Sequence, residues 1–188
     1  MTSFDQQINC IQQFFTNLDK AQSGQTYEER IQAVDALRRE VRTSEAAQEA
    51  LRSCIWADDG AIRISAAESL SLARVYPDDS IPVLLAVLEV ARERNEIEKD
   101  ELWTGLAIGA LTNYGPLAAD VQHVVWPFLH CPPTTHVLQR MATRYAMRLA
   151  KTSSASWTLA CLMCHHEDSD LRELARSIMR SEEFKNWD

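Results

Sequence analysis

The chain has 188 residues, a formal net charge of −8 and a hydrophobic share of 46%. That length fits one domain with a sizeable core, and the apolar share excludes a disordered polar chain. The charge disfavours general binding to nucleic acid or to anionic membrane surfaces, and it suits a basic protein partner.

Only five Gly and six Pro interrupt the chain. Ala, Leu, Arg, Glu and Gln, all good helix formers, dominate it. Strand-like alternation of β-branched and polar residues is missing, so an all-α chain is expected. Phe4, Ile8, Ile11, Phe14, Phe15 and Leu18 recur at helical spacing and predict a first amphipathic helix. That stretch also carries Gln, Asn and Asp without a basic start, which argues against a signal peptide. No apolar run is long enough to cross a bilayer, Ile81–Leu88 included. A cytoplasmic protein is therefore expected. Its five cysteines, Cys10, Cys54, Cys131, Cys161 and Cys164, should be reduced thiols in or near the core.

Ser23 and Gly24 mark a loop. Thr26 then caps a helix to about Arg42, with Glu29 completing a capping box. Ser44 caps the next, to about Trp56, and Asp58-Asp59-Gly60 breaks the chain. Asp59 caps a helix ending before Pro77, and Asp79 or Ser80 caps the following one, with Pro82 in its first turn. Residues 92–101 are a charged stretch, either a helix extension or a loop. A helix over 102–114 stops at Gly115-Pro116. Its partner is expected over 117–130, kinked or shortened by Pro127. Thr135–Ala150 and Ser156–His165 form another pair, and a last helix starts at Ser169.

Two stretches share the skeleton Asp-x-x-aliphatic-Arg-x-x-Ala: Asp59, Ile62, Arg63, Ala66, and Asp168, Leu171, Arg172, Ala175. Arg30, Ala33 and Leu37 have the offsets of Arg63, Ala66 and Leu70, while Ile81, Leu84, Leu85 and Leu88 reappear as Val121, Val124, Val125 and Phe128. Recurrence at intervals of tens of residues points to stacked helical units, each covering the apolar face of the next. Each Asp should cap its helix, and each Arg should reach an acidic group on the adjacent unit. These segments resemble HEAT repeats, over a repeat core of about 26–180 within a single domain, 1–188. The resemblance implies an α-solenoid of about four stacked antiparallel helix pairs plus flanking terminal helices, whose second helices line a concave binding face. The 135–165 unit departs from the pattern, with no opening Asp and its Arg residues displaced.

Cys161-Leu162-Met163-Cys164-His165 fits the attachment pattern of c-type haem. That chemistry needs export, and the stretch reads more simply as an amphipathic helix with two inward thiols. A zinc site from Cys131, Cys161, Cys164 and His165 or His166 would have only one close Cys pair. Neither metal nor cofactor is therefore assigned. Arg140, Arg144 and Arg148, followed by Lys151, form a positive stripe on one helix. It is either a solvated face or a grip on a carboxylate-rich or phosphorylated partner. Trp103, Trp126 and Trp157 recur once per later helix; as Trp is usually buried, gap-filling is the leading reading. Trp126 can instead face the groove as an anchor.

No nucleophile elbow, P-loop or dinucleotide fingerprint is present, which counts against an enzyme. The expected function is a non-catalytic protein-binding adaptor, scaffold or assembly factor. Its candidate protein-binding residues are Trp126, His130, Arg140, Arg144, Arg148 and Trp157. By resemblance alone, a bilin lyase or chromophore chaperone, and an immunity protein neutralising a basic toxin, are the alternatives.

Overall fold

The computed structural model describes residues 26–94, 101–130 and 135–181, and all regular structure among them is helical. The expected first helix at Phe4–Leu18 and the thiols Cys10 and Cys131 lie outside the described residues. The chain divides into two compact units, 1–83 and 84–188.

In the first unit, α1 (Tyr27–Glu40), α2 (Glu45–Cys54) and α3 (Gly60–Ala73) pack against one another. Each start is fixed by a side chain accepting from backbone N–H groups that have no intrahelical partner. Thr26 accepts from Glu29 N while Glu29 Oε2 accepts from Thr26 N, a complete capping box. Ser44 accepts from Ala47 N, and Asp59 from Ala61 N and Ile62 N. The apolar faces close over one cluster built on Val34, Leu37, Leu51, Ile55, Ile62 and Leu70. Burying each such side chain contributes roughly 1.5–3 kcal/mol.

The ties between α1 and α3 keep a nearly constant offset. Arg30 Nη1 stands 3.8 Å from Asp59 Oδ2 near the helix starts. Arg38 Nη2 donates to Glu68 Oε1 at 2.7 Å, and Arg42 Nε to Leu72 O at 3.2 Å, each 30 residues on. An unchanging offset from one end to the other means that the two helices run side by side in the same direction. Arg52 Nε likewise donates to Asp79 Oδ2 at 2.6 Å across 27 residues.

The helix after α3 begins earlier than expected. Arg74 and Tyr76 take positive φ, and α4 (Pro77–Arg94) starts at Pro77 with Pro82 inside it. Proline at a helix start loses no bond, because its nitrogen would have had no intrahelical acceptor there. Asp79 is engaged by Arg52, and Ser80 Oγ is buried without a partner among the described residues, so neither serves as the expected cap.

The second unit is organised around α8 (His136–Leu149), which packs against α5 (Glu101–Tyr114), α7 (Pro127–His130), α9 (Ser154–Met163) and α10 (Ser169–Arg180). A similar, slightly longer offset appears here. Thr135 Oγ1 donates to Glu101 Oε1 and Ser156 Oγ to Gln122 Oε1, both across 34 residues, at 2.7 and 2.9 Å. A Cβ on Gly105 would stand 3.1 Å from Met141 Sδ, so the missing side chain lets α5 and α8 approach closely.

The expected partner helix over 117–130 is not continuous. Gly115 takes φ +56, and a tight 3-10 segment (Gly115–Val121) follows it. Two single-turn helices come next, α6 (Gln122–Val125) and α7, which starts at Pro127. The break at Trp126 reflects the N–H that Pro127 cannot donate. Tyr145 on α8 ties this segment down: its hydroxyl donates to Ala118 O at 2.6 Å, both groups being buried.

Candidate functional site

The shared Asp–Arg skeleton adopts one local structure twice. Asp168 Oδ1 accepts from Asp170 N and Leu171 N, as Asp59 Oδ1 does from Ala61 N and Ile62 N. Arg63 Nη1 folds back to Ala57 O at 2.9 Å, and Arg172 Nη1 to His166 O at 2.7 Å. This corrects the expectation that these arginines bridge to an acid on the next unit. Each one latches its own entry loop by filling carbonyls that the turn leaves open. A basic side chain from the helix two before meets each Asp instead: Arg30 on α1 lies 3.8 Å from Asp59, and His136 Nε2 on α8 lies 3.8 Å from Asp168. Backbone N–H donation from Leu171 and Asp170 holds the Asp168 carboxyl below its ordinary value, with His136 and His166 adding to the effect.

The 135–165 unit fits this frame more closely than its composition suggests. Thr135 caps α8 by accepting from Leu138 N, and Leu138 and Ala142 are buried like Leu171 and Ala175. The caps Thr26 and Asp59 are 33 residues apart, and so are Thr135 and Asp168. A cap of either chemistry followed by aliphatic and Ala at fixed offsets was the signal; requiring Asp and Arg concealed it.

The candidate binding residues divide between elements. Trp126 forms the junction of α6 and α7 and is 36% exposed; Trp157, near the start of α9, is 45% exposed. Both open to solvent, against the gap-filling reading, while Trp103 on α5 is half-buried. Leu162, also on α9, is 62% exposed, but five residues on from Trp157 it faces a different side of the helix. The Ser156–Gln122 bond ties the residue before Trp157 to the helical turn that ends at Trp126. His130 ends α7, and its side chain lies outside the described atoms. The arginines are elsewhere, on α8. Arg144 is exposed and Arg140 half-buried, while Arg148 lies against Gly115, where an added Cβ would stand 3.2 Å from its Nε. Since Trp126 and Trp157 stand on the second helices of their pairs and the arginines on a first helix, the structure does not gather all six on one element.

Trp56 went unnoticed in the sequence. It is 71% exposed and lines an open cleft of about 340 Å³ with Arg30, Ser53, Ala57 and Asp58. Its position in the turn after α2 was the only available hint. Among the described residues no group of three His, Cys, Asp or Glu side chains could hold a metal ion, and no helix is long and apolar enough to cross a membrane. No family model, curated protein or solved structure matches the chain.

Proposed function

We propose that this chain is a short HEAT-like solenoid that binds another protein without catalysing a reaction, as an adaptor, scaffold or assembly factor. The observation that carries this reading is the exposure of two tryptophans, Trp157 on α9 and Trp126 after α6, on either side of the tie that joins those helices. Tryptophan exposed on a regular helical surface is a typical anchor for a partner, because one side chain brings a large contact area at little entropic cost. The ties of 27 to 34 residues support the solenoid part of the reading, since stacked repeats link residues about one repeat length apart. In the resemblance to HEAT repeats the second helices of the pairs line the concave face, and α6–α7 and α9 hold that position. Arg140 and Arg144 then serve a different surface, suited to an acidic segment.

Site-specific photocrosslinking tests this. A crosslinker at Trp157 or Trp126 should capture one discrete partner in the native cell, and one at Leu102, an exposed apolar residue of α5, should not. Equal capture from all three positions, or none from any, refutes the reading.

A further inference from the structure

Two sulfur side chains, Cys164 and Met179, meet where α9 ends against α10, and a third, Cys161, stands one helical turn before Cys164. Cys161 and Cys164 are three residues apart on α9, which places them on one helical face. Cys164 Sγ lies 3.1 Å from Met179 Sδ, which projects from α10. Cys164 is buried, whereas Cys161 and Met179 are half-buried, so the group has a dry floor and an opening to solvent. Two guanidinium groups attend it. Arg176 Nε donates to Cys164 O at 2.9 Å; burial holds the Cys164 thiol above its ordinary value, and Arg176 and Arg180 offset this only in part.

We propose that Cys161, Cys164 and Met179 form a binding site for a soft monovalent cation, Cu(I). The donor set selects the ion. Two thiolates and a thioether are soft ligands that favour Cu(I), whereas Mg²⁺ and Ca²⁺ require oxygen. Zn²⁺ favours four N or S ligands, and no third His, Cys, Asp or Glu joins the pair among the described residues. His166 is held back, because its Nδ1 accepts from Asp168 N at 3.1 Å. Binding is a proton exchange without electron transfer: two thiols each lose a proton to solvent, and Cu(I) forms two Cu–thiolate bonds and one Cu–thioether bond. The product carries one negative charge, which the neighbouring Arg176 and Arg180 offset.

The test uses the full chain, reduced and kept anaerobic, titrated with Cu(I) against a chromophoric Cu(I) chelator. One Cu(I) per chain should be retained against the chelator, and X-ray absorption should show three sulfur neighbours. Cys161→Ser/Cys164→Ser should release that ion. Met179→Leu nearly conserves volume and so keeps the fold; it should weaken binding ~10-fold, as expected for loss of one soft ligand, and leave two sulfurs. Retention of Cu(I) by the double variant overturns the site. So does an unchanged affinity and sulfur count in Met179→Leu, or preference for Zn²⁺ over Cu(I) by the reduced wild-type chain.

Discussion

Arg38 and Glu68 give the sharpest test of how the first unit holds together. The Glu68 carboxylate is 7% exposed and takes one charged hydrogen bond, from Arg38 Nη2 at 2.7 Å. Burial pushes this carboxyl above its ordinary value of 4.5, even though Arg38 pulls it down. Desolvation of the Glu68 carboxylate therefore exceeds the attraction it receives from Arg38. The two halves of the pair should then respond differently to mutation. Arg38→Ala leaves the carboxylate buried and unpaired. Such a loss costs about 3–5 kcal/mol in a sealed interior. The Arg38 side chain is 39% exposed, so water enters in its place and about 2 kcal/mol is expected. Glu68→Gln keeps an acceptor for Arg38 and removes the buried charge, so it should stay within about 1 kcal/mol of wild type. Urea denaturation reads both: with a slope of ~2 kcal/mol/M, Arg38→Ala moves the midpoint down by about 1 M. The pH dependence follows from the direction of the shift. A carboxyl with a raised folded pKa supports the fold fully below its unfolded value and loses that support as pH rises through the folded value. Wild type should therefore lose this increment on going from pH 4.5 upward, and Glu68→Gln should not. If Glu68→Gln is as damaging as Arg38→Ala, the attraction outweighs desolvation and the reasoning fails.

Tyr145→Phe strips the donor from buried Ala118 O and should cost about 1–3 kcal/mol, read by thermal unfolding against Tyr27→Phe at an exposed site as control. Gly115→Ala meets both a left-handed φ and the Arg148 side chain, so a loss of ~1–2 kcal/mol is expected; a neutral result in the same assay contradicts that geometry. Asp168→Asn keeps an oxygen for the cap but loses the charge. Because the Asp168 carboxyl is held below its ordinary 3.8, its support is present above that value and lost as pH falls through the folded one. The variant should therefore show a flatter acid limb in a pH titration of circular dichroism. Cys54 is fully buried with its thiol pushed up to about 11. It should resist iodoacetamide at pH 8 in the native chain and react in urea, as mass spectrometry of the alkylated peptides would show.

Several helix starts were legible because a cap is a local device, though α4 starts at Pro77 ahead of its expected cap and α9 at Ser154, capped by Ser153, ahead of the expected Ser156. Thr26, Ser44, Asp59 and Asp168 each bond to an N–H two or three residues away, and neighbouring sequence suffices to find them. The stretch from Gly115 to His130 was only half legible. Pro127 announced a break, but the 3-10 turn before it depends on Tyr145, 27 residues beyond Ala118. The roles of Arg63 and Arg172 were misread for a related reason. Arginine can reach either a carboxylate or a set of carbonyls, and the loop's shape decides. Exposure of Trp56, Trp126 and Trp157 was equally hidden, since a large aromatic suits an interior gap or a partner's pocket alike.

The steady interval between linked residues bears on how this chain acquires its shape. Ties such as Arg38–Glu68 and Ser156–Gln122 close short loops of similar length, so forming them does not require remote parts of the described chain to find each other. Low contact order of this kind favours rapid folding that starts locally and spreads to adjoining turns. A lesion in one tie should then loosen its own neighbourhood first, with remote helices keeping their amide protection against hydrogen exchange.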